Sequence, residues 1–135
     1  MFLNNFSARG TGSTSSNQKA VSHFLTYIDA FKALEYLSKD PKVNIEKVGI
    51  IRCSRGRMIS LMASEKRLRD VLVSKDLYFA AAQLRSPDCW CAGMFRNPQP
   101  IKETKTLMVL GGTNNFTRAE PCIEHGKNIK QMLRI

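Results

Sequence analysis

The amino-acid sequence predicts an α/β fold, a mostly parallel sheet with helices on both faces, and three observations carry that expectation. Two short apolar runs read as strands: Val48-Gly49-Ile50-Ile51, β-branched like a strand buried within a parallel sheet, and Leu107-Met108-Val109-Leu110. Around them, apolar residues recur at helical spacing. The resulting order of helix, strand, helix, strand, loop, strand and helix implies right-handed crossovers between parallel strands.

With 135 residues, 43% of them apolar, the chain is sized for one domain, read here as a polar loop over residues 1–17 and a folded part over 18–135. Residues 7–17 are small and polar, with Gly10 and Gly12 inviting turns, and the stretch ends in helix-capping residues. From Gln18 to Lys39, Val21, Phe24, Leu25, Ile28, Phe31, Ala33, Leu34 and Leu37 mark one face of an amphipathic helix. Asp40-Pro41 stops it, because proline disfavours a helical residue before it. After the strand at Val48–Ile51, Met58 to Leu72 reads as a second helix. Tyr78 to Leu84 reads as a strand, although its alanines suit a helix equally well. Pro87 to Pro100 is an irregular loop with three prolines, and Lys105 to Leu110 is a strand ended by Gly111-Gly112. A last helix is expected from Thr117 toward Leu133, with a break at Gly126.

Lys and Arg outnumber Asp and Glu by 21 to 11, a net charge of +10. The basic residues are scattered through every segment, which describes a solvated surface better than a nucleic-acid site; a small basic nucleic-acid binder is carried as an alternative. Cys53, Cys89, Cys91 and Cys122 are too few and too irregularly spaced for a disulfide scaffold or a zinc site. Free thiols in a reducing compartment are therefore expected, while a Cys89–Cys122 bridge stays open. No apolar run approaches the ~18 residues of a membrane helix, and Met1 to Asn5 lacks the order of a signal peptide, so the reading favours a cytoplasmic protein without membrane contact.

Reactive groups in open α/β sheets sit where the chain leaves the C-terminal end of a strand, and Ser54 stands there. A serine hydroxyl becomes a nucleophile when a tight turn exposes it beside a base and aims backbone N–H groups at the developing oxyanion. Arg52-Cys53-Ser54-Arg55-Gly56 has the form of such a nucleophile elbow, G-x-S-x-G, with Gly56 in place and Arg52 where the first glycine belongs. A side chain at position 52 must swing clear or strain the turn. On the pentapeptide alone, Ser54 as an ordinary N-cap of the following helix competes with this reading. Cys53, one residue early for a nucleophile, reads as a buried structural thiol.

Beyond the elbow, the chain resembles the dienelactone hydrolase family of α/β-hydrolases, in its serine-nucleophile branch. Phe6-Ser7-Ala8-Arg9-Gly10 followed by Gln18 is similar to the segment between that family's oxyanion loop and its next helix. Asp29-Ala30-Phe31-Lys32-Ala33-Leu34-Glu35-Tyr36-Leu37 resembles its D-A-x-x-A-L-x-Y-L helix, and Val48 to Gly56 resembles its elbow, V-x-x-x-G-x-S-R-G-G. Phe79-Ala80-Ala81-Ala82 is similar to the strand after the elbow helix, and Leu107 to Cys122 to the strand and loop of the catalytic acid.

The resemblance implies a partial α/β-hydrolase domain acting on a small ester or lactone, without cofactor or metal. Ser54 would be the nucleophile and the backbone N–H of Arg55 an oxyanion donor. The family's aspartate falls at Asn114 or Asn115 in Gly111-Gly112-Thr113-Asn114-Asn115-Phe116-Thr117, where an amide can accept a hydrogen bond but cannot stabilise an imidazolium by charge. The family's histidine is expected beyond Ile135 and its opening strands before Met1. His23 and His125 read as surface or helix-capping residues. The same departures raise a second expectation, a catalytically dead remnant or interaction protein. Neither substrate identity nor oligomeric state follows from the residues.

Overall fold

The computed structural model describes residues 1–12, 17, 19–53, 57–85, 89, 98–110 and 119–128, with backbone alone at Cys53, Arg57, Met58 and Asn128. Its elements are α1 (His23–Leu37), β1 (Gly49–Cys53), α2 (Arg57–Met62), α3 (Lys66–Leu72), β2 (Ala81–Arg85), β3 (Lys105–Val109) and α4 (Glu120–Asn128), with short 3-10 turns at Ser7–Arg9 and Ile45–Lys47. The strands form one open sheet in the order β1-β2-β3. Both pairings are parallel: Ile51 lies beside Gln83, and Gln83 beside Leu107. This is a small α/β fold.

Each boundary has a local cause. Helix α1 begins later than its apolar spacing predicts, because the Ser22 hydroxyl accepts from the Phe24 N–H and caps the first turn there. The region expected to be one helix over 58–72 is two. At the break, Ser64 and Lys66 exchange backbone bonds with a distant segment: Ile101 N donates to Ser64 O and Lys66 N to Gln99 O, both at 2.7 Å. The buried Glu65 carboxylate also accepts from Gln99 N at 2.9 Å and from Arg67 Nε at 2.7 Å. Nothing local announces this exchange, since its partners lie more than thirty residues on. Strand β2 starts at Ala81, after Phe79 has turned into the core. Gly126 lies inside α4, so the break expected there is absent.

The main core cluster lies under one sheet face. Tyr27, Ala30, Phe31 and Leu34 of α1 meet Ile59 of α2, Ala63, Phe79, Ile50 of β1 and Ala82 of β2. Phe31 sits at its centre, edge-on to Tyr27 at 5.2 Å and to Phe79 at 5.4 Å between ring centroids. A smaller cluster joins Leu61, Leu84, Cys89 and Cys122, with Met108 and Leu110 against it. Here Cys89 and Cys122 form a disulfide, replacing the free thiols expected for these two cysteines. Their Cα atoms are 4.9 Å apart, within bridging distance.

The expectation of helices on both faces is corrected among the described residues. The buried positions of the sheet, Ile50, Ala82 and Leu84, lie on the face that packs against the helical layer, while Ile51, Leu107 and Val109, which alternate with that face, are exposed. The uninterrupted β-branched run at Val48–Ile51 therefore covers a strand with one buried side: Ile50 is 8% exposed and Ile51 70%. Gly49 leaves little room for a side chain, since a Cβ there would stand 3.3 Å from the Ala81 carbonyl oxygen. Among the described residues no helix is long and apolar enough to cross a membrane.

Candidate active site at the end of the first strand

The candidate nucleophile Ser54, the candidate oxyanion donor Arg55, and Gly56 lie outside the described residues, as do Asn114 and Asn115. Their surroundings are described on both sides. Strand β1 ends at Cys53 and α2 begins at Arg57, so residues 54–56 are the entire link between the C-terminal end of a parallel strand and a helix.

Arg52 is the last side chain described before that link. It alternates onto the covered face with Ile50 and is half-buried. Its guanidinium reaches Asn5, whose Oδ1 accepts from Nη1 at 3.5 Å and from Nη2 at 3.4 Å. Those bonds are long and therefore weak. Burial lowers the Arg52 pKa, and the Asp29 carboxylate partly restores it. Arg52, at the position where the elbow reading expects a glycine, is thus drawn toward the polar groups of α1 and the N-terminal segment.

Those groups form a compact cluster. Asp29 of α1 is held by Arg9 in a two-pronged pair, Nη1 to Oδ2 at 2.7 Å and Nη2 to Oδ1 at 2.8 Å, and by the Asn5 amide at 2.6 Å. Arg9 Nη1 also donates to the Asn5 carbonyl at 2.7 Å. Gly10, at φ 67°, closes the turn that presents Arg9. The stretch read as a polar loop is pinned through these contacts to α1. Sequence reasoning missed the cluster; the available signal was an acid, Asp29, on a helix preceded by a loop that carries Arg9 and no acid.

The cluster has a pH signature. The Arg9 hydrogen bonds, reinforced by Asn5 and by the positive charges of Arg9 and Arg52, hold the Asp29 carboxyl below its ordinary range despite partial burial. A carboxyl whose pKa is depressed on folding stabilises the fold above its unfolded value of about 4, and that contribution is lost as pH falls through the lower folded value. Asp29→Asn is accordingly expected to lower the melting temperature at neutral pH, with the gap from the native chain narrowing on acidification toward pH ~2. A gap constant across a melting series from pH ~2 to ~6 would contradict this assignment.

The two histidines differ. His23 opens α1, and His125 lies in α4, half-buried. Burial lowers the His125 pKa, while the Glu65 carboxylate acts against that shift. Tyr27 is pushed the other way, upward, by burial first and by Glu65 second. The Tyr27 hydroxyl, Ser60 Oγ and Thr104 Oγ1 are buried without a hydrogen-bond partner among the described residues. No group of three or more His, Cys, Asp or Glu able to hold a metal occurs among the described residues. Compared with protein-family models, characterised proteins and solved structures, the chain matches none of them.

Proposed function

We propose that the chain is a carboxylic-ester or lactone hydrolase of the dienelactone hydrolase type, with Ser54 as nucleophile. The observation that carries this reading is the link 54–56 between the C-terminal end of a parallel strand and a helix, the context a nucleophile elbow requires. In the proposed reaction Ser54 Oγ attacks the substrate carbonyl carbon, and the backbone N–H of Arg55 donates to the developing oxyanion. Collapse expels the alcohol and leaves an acyl-serine, which water then hydrolyses, releasing the acid. The hydroxyl proton needs a base, and an asparagine at the acid position supplies no charge to stabilise a protonated one. In a well-studied protease that substitution slows turnover about ten-thousandfold.

Slow release of p-nitrophenol from p-nitrophenyl acetate is therefore expected, falling to the uncatalysed rate in Ser54→Ala. Equal rates from the two proteins would overturn the enzymatic reading. A second reading, an interaction protein built on this scaffold, is favoured by Arg52 and by Asn114 or Asn115 at positions where the family has glycine and aspartate.

A further inference from the structure

We propose that the face of the β1-β2-β3 sheet opposite the described helices is a docking surface for an acidic amphipathic helix of a partner protein. The proposal does not depend on ester hydrolysis. Parallel sheets are stable when both faces are covered, because their strands bury apolar side chains on each side. Here the described helices supply one layer only, and the opposite face presents Ile51, Leu107 and Val109 to solvent.

The size and charge of the face define what fits. Three strands of five residues make a surface about 16 Å long and about 10 Å between its outer strands. That is the footprint of one helix of about three turns. Register places Ile51, Gln83 and Leu107 in one row across the sheet, with Arg85 and Val109 in the next row and Lys105 in the row before. Arg85 and Lys105 are exposed, and the three strands contain no Asp or Glu. An aliphatic centre with cations at opposite ends complements a helix carrying leucines at i, i+3, i+4 and i+7 flanked by glutamates. A second copy of this chain would instead bring Arg85 and Lys105 against their own equivalents, with a net charge of +10 on each side.

The test uses the full 135-residue chain and two labelled helical peptides, identical except that glutamates flank the leucines in one and lysines in the other. Fluorescence anisotropy is expected to detect the acidic peptide only. Ile51→Glu should weaken it at least about tenfold. Because Ile51 is 70% exposed, that variant should keep its melting curve, which serves as the control for folding. Arg85→Glu combined with Lys105→Glu should reverse the preference toward the lysine peptide. Failure of both peptides to bind, equal affinity for the two, or indifference to Ile51→Glu would overturn the proposal. A dimer seen by light scattering and abolished by Ile51→Glu would assign the face to a second copy. Binding to phosphatidylserine-containing vesicles that Ile51→Glu removes would assign it to lipid; either result also overturns the proposal.

Discussion

Phe31→Ala is expected to lower the unfolding free energy by about 3–5 kcal/mol. Phe31 is fully buried and lies between Tyr27 and Phe79, edge-on to both. Its removal takes away apolar transfer energy and two aromatic contacts, each worth about 0.5–1.5 kcal/mol beyond area alone. The cavity cannot collapse easily, because the cluster around it comes from separate elements: α1, α2, β1, β2 and the segment just before β2. Against a typical total of about 5–15 kcal/mol, such a loss leaves a marginal protein. Urea denaturation followed by circular dichroism should show a lower midpoint with an unchanged slope. Tyr36→Ala, on the same helix but 72% exposed, is the control and should move the midpoint little.

The second large effect concerns the Cys89–Cys122 bridge. It closes a loop of 33 residues, and restricting the unfolded chain over that length is worth about 3–4 kcal/mol by the chain-entropy argument. Cys122→Ser should therefore melt like the reduced native protein and should not respond further to dithiothreitol. Peptide mapping after alkylation should find Cys89 and Cys122 protected until reductant is added. Labelling of both without reductant would show that the bridge does not form in solution. A bridge of this kind persists in oxidising surroundings, which is the opposite of the setting that scattered cysteines suggest.

Strand and helix identity were legible because they depend on local chemistry. Ile50-Ile51 and Leu107-Met108-Val109 are strands as their short apolar runs predict, and the α1 core residues Phe31 and Leu34 fall on the face their spacing selects. What was not legible depends on distant partners. The break between α2 and α3 exists because residues 99–101 bond to Ser64, Glu65 and Lys66, and no periodicity within 58–72 records that. The burial of Ile50 but not Ile51 follows from a helical layer on one side of the sheet, whereas an unbroken apolar run reads as burial on both.

The same division applies to the candidate site. The position of residues 54–56 at the end of β1 follows from the Val48–Ile51 run and is written locally. The destination of Arg52 is not, because Asn5 and Asp29 come from the N-terminal segment and α1, brought beside β1 by tertiary packing. An arginine where a nucleophile elbow expects glycine, read in isolation, suggests strain. In the fold it adds a second positive group to an asparagine–aspartate–arginine cluster.

The disulfide also changes the connectivity of the molecule. Strand β3 lies within the covalent ring that Cys89 and Cys122 close. One peptide-bond cut anywhere in that ring leaves a single molecule under non-reducing conditions, with both ends of the cut still tethered. Two cuts flanking β3 would release an edge strand while β1 and β2 stay joined to α4 through sulfur. Gel mobility before and after reduction would thus report how many times a protease has acted, and on which side of β3.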